Sequence, residues 1–443
     1  MATRIEWHGS PLVKSCVIVR TASQMNVIDL IAVVITLTAL LAWLNARFLR
    51  LPTTIGVMVL SIVFSLGLVV FDRAGFGFAA QTERLVGHIN FRDTLMNGML
   101  SFLLFAGGMQ VKTKSLRQNY LSVAILATVA VALSAGIVAV LMWAFTSMLG
   151  LDLPFRFALL FGILISPTDP VAVLAILRKA GIDDTLELKV TAESLFNDGV
   201  GVVLFLLALA FASGDSHVSV SGGLLLFVRE AFGGAAFGAA AGGVAYYLLR
   251  TVDNYQTEVL VTLALVTGGY ALAHALGLSG PIAMVVAGLL IGNPGREYAM
   301  SENTRTHIDL FWEMVDEVLN AVLFVLIGLE VLLVSPKPLW LLAGAGAILI
   351  VLFARLVSIS LPALAIGRLR VFGNRTIPVL TWGALRGGIA VALALSIPSG
   401  DARDIVLTMT YVVVVFSILG QGLTIGPLVR RFARRDTSDS DSA

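Results

Sequence analysis

Cysteine and charge are both scarce in this sequence. One cysteine, Cys16, occurs in 443 residues, which excludes a disulfide scaffold, a CxxC redox pair and a Cys/His metal site. No GxxxxGK[ST] phosphate loop is present, so transport driven directly by ATP would require another subunit. Charged residues make up only 13% of the chain, and the formal net charge is +2. The basic residues sit in short loops and the tail, so the balance is uninformative about partners; no nucleic-acid partner is expected. Apolar residues fill the space instead: 58% of the chain is hydrophobic and the mean hydropathy is +0.92. Those values lie far outside soluble averages and describe an all-α polytopic membrane protein.

Thirteen apolar stretches approach the roughly 20 residues needed to cross a bilayer. They run over about 27–48, 53–71, 94–111, 121–149, 154–177, 188–212, 224–249, 258–276, 280–292, 311–334, 339–366, 377–397 and 405–429. The ninth is short, and a re-entrant path there would change the parity. Lys112, Lys114 and Arg117 follow the third stretch, while Arg178, Lys179 and Lys189 separate the fifth from the sixth. Arg368, Arg370 and Arg375 precede the twelfth, and Arg430, Arg431, Arg434 and Arg435 close the membrane part. With thirteen spans these groups share one face, which is therefore expected to be cytoplasmic. The expectation is a multi-pass protein of the plasma (inner) membrane, N-terminus outside and C-terminus cytoplasmic. Arg73, Arg84 and Arg92 work against that orientation from a longer, more mixed loop. Residues 1–24 form a mixed polar arm without a signal-peptide pattern. Met25 stands directly before the first apolar run, where translation could equally begin. The tail, DTSDSDSA after Arg435, reads as short, acidic and disordered. Small residues crowd the seventh stretch (AFGGAAFGAAAGG), where tight helix packing is the preferred reading over a moving seam.

Three carboxylates stand in mid-span within the stretch from about Ile163 to Leu204: Asp169, Glu193 and Asp198. An ionisable group at membrane depth costs on the order of 2.5–3.5 kcal/mol on insertion scales, and persists with a partner, a water-filled cavity or a task. Asp169 lies in Ser166-Pro167-Thr168-Asp169-Pro170. Pro167 and Pro170 each remove a backbone donor and collide with the carbonyl four residues back, so the fifth span is expected to open there. Opened backbone inside a membrane must line a cavity or meet partners. Many transporters build a midplane ion site in this way; a proline kink around a packed acid is the alternative. In the sixth span Ser194 and Asp198 share one stripe, and Glu193 and Asn197 the next. Oxygen donors of this kind suit a hard cation such as Na⁺, whereas zinc or copper would call for His or Cys. A turn of about ten residues makes the two spans antiparallel neighbours, so that Asp169 can face Asp198. A buried salt-bridge knot without a transport role is the competing account.

Two arginines lie inside later spans, Arg355 in LFARLVSIS and Arg386 in TWGALRGGIAVALALSIP. Apolar sequence on both sides makes snorkelling to the interface difficult. A guanidinium keeps its charge when buried and grips a carboxylate in bidentate fashion, so either can neutralise Glu193. Gly383, Gly387 and Gly388 loosen the twelfth span around Arg386. One span broken at an acid and one loosened at an arginine, in corresponding places of two halves, is the pattern of an inverted-repeat transporter; for Arg386 a lipid-headgroup anchor is the alternative. Asp309, Glu313, Asp316 and Glu317 fall at helical spacing near the edge of the tenth span and read as a solvated or cavity-lining face. Gly277-Leu278-Ser279-Gly280, with His274 nearby, matches the GxSG of rhomboid proteases, but Ser279 reads as a turn residue and His274 precedes it on the same helix.

SPTDPVAVLAIL followed by ESLFNDGVGVVLF, with LRGGIAVALALSIP downstream, resembles the monovalent cation:proton antiporter family, which includes the archaeal and bacterial sodium/proton antiporters and the animal exchangers. The likeness runs from about Asn26 to Arg431 and takes in GPIAMVVAGLLIGN and VLFVLIGLE. The resemblance implies that Asp198 binds Na⁺ and H⁺ in turn, with Asp169, Ser194 and the Thr168 carbonyl completing the coordination. Asn197 and Thr168 would hold the unwound crossing, Arg355 is favoured as the partner of Glu193, and Arg386 would balance charge at the second crossing. The implied fold is thirteen helices in inverted six-helix repeats. Dimerisation-domain helices would span 25–111, core helices 120–212, a linker helix with further dimerisation helices 223–334, core helices 339–430, and a short tail 431–443. A homodimer is expected, with Na⁺ and H⁺ as cargo and no cofactor. One departure is visible. Where some members carry an acid in the third span, this chain reads Leu103-Leu104-Phe105-Ala106-Gly107, so ion preference is less fixed.

The expected activity is secondary antiport of Na⁺ (or Li⁺) against H⁺ by alternating access, because both compete for the same carboxylates; the chain is not expected to be an enzyme. Asn197, where electrogenic relatives carry a second acid, suggests by resemblance one Na⁺ for one H⁺. A K⁺/H⁺ antiporter is the runner-up, followed by a cation channel and an intramembrane protease.

Overall fold

The computed structural model describes residues 27–71, 94–179, 184–212, 220–331, 337–365 and 377–429. The arm 1–24, the loop with Arg73, Arg84 and Arg92, the basic group Arg368, Arg370 and Arg375, and the tail from Arg430 lie outside the described residues. Among the described residues the chain is helical apart from turns and one isolated bridge, between Asp169 and Leu385. The helices are α1 (Val27–Leu44), α2 (Thr53–Phe71), α3 (Leu100–Gln110), α4 (Thr113–Met148) and α5 (Phe155–Ile165). Next come α6 (Val171–Lys179), α7 (Asp184–Ala212), α8 (Val220–Thr251), α9 (Tyr255–Ala275) and α10 (Gly280–Leu290). The last are α11 (Glu302–Glu330), α12 (Pro338–Ala365), α13 (377–382), α14 (Gly388–Leu395) and α15 (Asp401–Val429).

Among the described residues eight helices are long and apolar enough to cross a membrane: α1 with its π-turn continuation, α2, α4, α7, α8, α9, α12 and α15. The protein is a multi-pass membrane protein. Two helices start well ahead of the apolar stretches that announce them. α4 begins at Thr113 and α11 at Glu302, about two turns before the apolar sequence does, because backbone hydrogen bonding continues past the point where the side chains turn polar. Ser301 caps α11, its hydroxyl accepting from the Thr304 amide, and Asp309 in the early turns pairs with Arg296 at 2.6 Å.

The helices pack in two groups. In one, α4 lies on α5 and α12, α12 on α15, and α5 on α7. Gly162 of α5 meets the Ala135 carbonyl of α4 so closely that a Cβ would overlap it. In the other, α2 lies on α11, where the Ser61 and Ser65 hydroxyls donate to the carbonyls of Val325 and Gly328 at 2.8 and 2.9 Å. Within that second group α10 is gripped from two sides. Gly288 sits against the Phe105 carbonyl of α3, and Gly238 of α8 against the Ala283 carbonyl. The small residues of α8 thus serve close packing, as small-xxx-small patterns do where apolar burial supplies no drive between helices. The short helices α6 and α14 lie where the groups meet: α14 packs on α5 and α15 of the first and on α11 of the second.

Gly288→Val forces a branched side chain into the α3 backbone. It is expected to lower the unfolding temperature of the detergent-solubilised protein by an amount equivalent to about 1–3 kcal/mol, readable by differential scanning fluorimetry. An unshifted transition would contradict the packing described.

Candidate functional site

The two interrupted helices cross at their breaks. Helix α5 ends at Ile165, and after Ser166-Pro167-Thr168-Asp169-Pro170 the chain resumes as α6; α13 ends at residue 382 and α14 starts at Gly388. The extended pieces run antiparallel, and the Asp169 amide donates to the Leu385 carbonyl at 2.9 Å. Other freed backbone groups also find partners within the protein. Asn197 of α7 spans the first break, accepting from the Thr168 amide at 3.3 Å and donating to the Thr168 hydroxyl at 2.9 Å. Helix α15 serves the second: Ser417 Oγ accepts from the Arg386 amide at 2.9 Å, and Gln421 Nε2 donates to the Trp382 carbonyl at 2.8 Å. Both residues lie in a π-turn, Ser417–Gln421, a local widening that is frequent at functional positions.

Four half-helix ends therefore point at one place. The N-termini of α6 and α14 present positive dipole ends, and the C-termini of α5 and α13 negative ones. Asp169 stands at the positive ends, its Oδ1 accepting from the Val171 amide at 3.0 Å as a cap on α6. Gly387, the residue before α14, lies so close that a Cβ would overlap the Asp169 carboxylate. Arg386 stands at a negative end, its Nη1 donating to the Ala384 carbonyl at 3.0 Å.

A cavity of about 110 Å³ opens at the crossing, room for several waters. Asp169 and Asp198 both line it, with Pro167, Thr168, Pro170, Thr191 and Gly387. Asp316 and Asn320 of α11 line it as well, and among the described residues no lysine, arginine or histidine does. Gln110 and Thr191 also line a second, polar cavity of about 100 Å³ that holds Lys112, Ser115 and the Arg178–Glu187 ion pair (2.7 Å). The first cavity thus adjoins the face carrying these basic residues.

Ser194 is buried behind the cavity wall and does not line it in this arrangement. Its hydroxyl is 3.0 Å from the Thr168 hydroxyl. Glu193, 1% exposed, turns away from the cavity toward Arg355, 2% exposed; Arg355 Nη2 is 2.5 Å from Glu193 Oε1. Of the two arginines that the sequence leaves open for Glu193, the structure pairs Arg355. Arg386, also buried, shares a small second pocket with Arg355. Among the described residues no group of three or more His, Cys, Asp or Glu is placed to hold a resident metal. Ser279 caps α10, accepting from the Ile282 amide, which accounts for it without a nucleophilic role. Thr191, Leu385 and Asn320 escaped the sequence reading. Thr191, Leu195 and Asp198 follow i, i+4, i+7 spacing on α7, and that stripe was the available signal.

Comparison with known proteins gives a consistent picture. The family model described as "Sodium/hydrogen exchanger, transmembrane" matches residues 34–431. The Na⁺/H⁺ antiporter NhaP of Pseudomonas aeruginosa is 46% identical over 425 residues, covering 94% of this chain and 100% of that protein. The Na⁺/H⁺ antiporter NhaH of Halobacillus aidingensis is 30% identical over 414 residues, 92% of this chain and 97% of that one. The solved structure of the sodium proton antiporter MjNhaP1 from Methanocaldococcus jannaschii superposes with a TM-score of 0.70 at 19% identity, covering 93% of this chain and 98% of that one. That likeness establishes the fold.

Glu193→Gln removes the charge that faces Arg355 and leaves a buried guanidinium uncompensated. The expected cost is about 3–5 kcal/mol of stability, seen as a lowered unfolding temperature in detergent or poor membrane yield. Wild-type stability would show that the pair is not structural.

Proposed function

Because the chain belongs to the sodium/hydrogen exchanger family, we propose that it exchanges Na⁺ for H⁺ across the plasma membrane, one for one, by alternating access. The observation that carries the reading is the cavity at the crossing, where Asp169 and Asp198 share one space that, among the described residues, no basic side chain lines. A carboxylate holding a proton cannot offer full charge to a cation, and a bound cation discourages the proton. The two acids titrate as a coupled pair, and one species must leave before the other is held.

Asp198 is the acid that binds proton and ion in turn. Asp169 and the Thr168 carbonyl contribute oxygens, and Ser194 joins them when the crossing shifts. Asn197 keeps Thr168 in its unwound position, and Pro167 and Pro170 keep the helix from closing over it. One-for-one exchange rests on Asn197, which stands where electrogenic relatives carry a second acid. The group of α4–α7 and α12–α15 is the moving core, α8 the linker, and the group of α1–α3 and α9–α11 the dimerisation side. We take the chain to cross thirteen times, C-terminus cytoplasmic and N-terminus outside, and to work as a homodimer. The cavity then opens to the cytoplasm in this arrangement.

Asp198→Asn and Asp169→Asn are each expected to abolish Na⁺-driven proton movement in proteoliposomes while the protein still elutes as a single folded species. Wild-type-like exchange by either variant would remove the basis of the proposal. Replacing Na⁺ by K⁺ in the same dequenching assay separates this reading from a K⁺/H⁺ exchanger.

A further inference from the structure

Asp316 is the cavity acid that the exchange scheme above does not use. It sits on α11 with Asn320 and Leu323 at the i+4 and i+7 positions, and all three line the same cavity as Asp169 and Asp198. Asn320 Nδ2 donates to Asp316 Oδ1 at 3.1 Å, and Asn320 is itself buried, so the carboxylate is held in place rather than swinging into solvent. Among the described residues Asp316 is in no ion pair. Among the described residues the cavity wall therefore carries three carboxylates and no countercharge.

The placement of Asp316 distinguishes it from the other two. Asp169 and Asp198 belong to the helices packed around the crossing. Asp316 belongs to α11, which packs on α2, α3 and α9. Leu323 and Ile327 on the same stripe of α11 press against Gly388 at the start of α14, so this face of α11 is the surface along which the crossing would move. Here the Asp316 wall faces the space that adjoins the cavity of Lys112, Arg178 and Glu187.

We propose that Asp316 is a third acid of the ion site, one that meets the transported cation only in this inward-facing arrangement. It then sets the affinity for Na⁺ at the cytoplasmic face. The inference rests on the alternating-access reading above. A fixed negative charge across a small, partly desolvated cavity attracts a cation at close range without having to coordinate it directly. Once the core moves, Asp169 and Asp198 leave that wall behind, and the ion is held more weakly. Asp316 is thus a positioning and affinity-setting residue, and the exchange of proton for ion stays with Asp198.

The test compares initial rates of Na⁺-dependent proton movement in everted vesicles, with the cytoplasmic face out, and in right-side-out vesicles of the same membranes. For Asp316→Asn the half-saturating Na⁺ concentration at the cytoplasmic face is expected to rise about threefold or more. The maximal rate stays within about twofold, and the outer-face value is unchanged. Asp316→Glu restores the wild-type value, which a merely structural role would not predict. If Asp316→Asn fails to reach the membrane, Asp316→Ser is read the same way. An unchanged cytoplasmic value, an equal rise on both faces, or a fall in maximal rate alone would overturn the inference. Asp198→Asn runs in parallel. Its inactivity upholds the exchange scheme whatever Asp316 does, whereas activity would bring down the scheme and this inference together.

Discussion

A helix that unwinds inside hydrocarbon frees backbone groups that no water is there to satisfy, at roughly 2–7 kcal/mol for each one left alone. This protein meets that demand twice in one place. The bond from the Asp169 amide to the Leu385 carbonyl joins the two breaks, and Asn197, Ser417 and Gln421 bind the Thr168 amide, the Arg386 amide and the Trp382 carbonyl. Each break is thereby a condition for the other. The helices that flank them, α7 and α15, are as much part of the site as the interrupted helices themselves.

Electrostatics follows from that geometry. Two helix N-termini concentrate positive potential where Asp169 sits, and two C-termini concentrate negative potential where Arg386 donates to Ala384. Glu193 and Arg355 cancel one another outside the cavity. What is left facing the cavity is acidic. Excluding basic side chains from that wall matters as much as supplying the acids, since an internal arginine there would occupy the place of the transported cation.

The sequence displayed the break in the fifth span because proline is a local signal: Pro167 and Pro170 read the same in any context. It displayed Asp198 and Glu193 because acids in apolar sequence are rare. The second break was fainter, marked by glycines, and its partner Leu385 was invisible, since a backbone carbonyl carries no chemical label and lies far from Asp169 along the chain. Periodicity placed Ser194 and Asp198 on one stripe, but the structure turns Ser194 to the Thr168 hydroxyl instead of the cavity. Composition could not choose between Arg355 and Arg386 for Glu193; the family resemblance favoured Arg355, and the packing of α12 on α4 brings that side chain to Glu193. The helix starts at Thr113 and Glu302 lie ahead of the apolar sequence because hydropathy reports where lipid is, not where hydrogen bonding begins.

The central claim is that one pocket at the crossing holds either a sodium ion or a proton. Its most direct test is to titrate Na⁺ into the purified, weakly buffered protein and follow proton release with a pH indicator, alongside calorimetric binding. The account predicts that Na⁺ binding expels about one proton per ion, and that rising acidity weakens Na⁺ binding reciprocally. Asp198→Asn should lose both effects. Saturable Na⁺ binding with no proton released, at any pH where the protein is active, would contradict it.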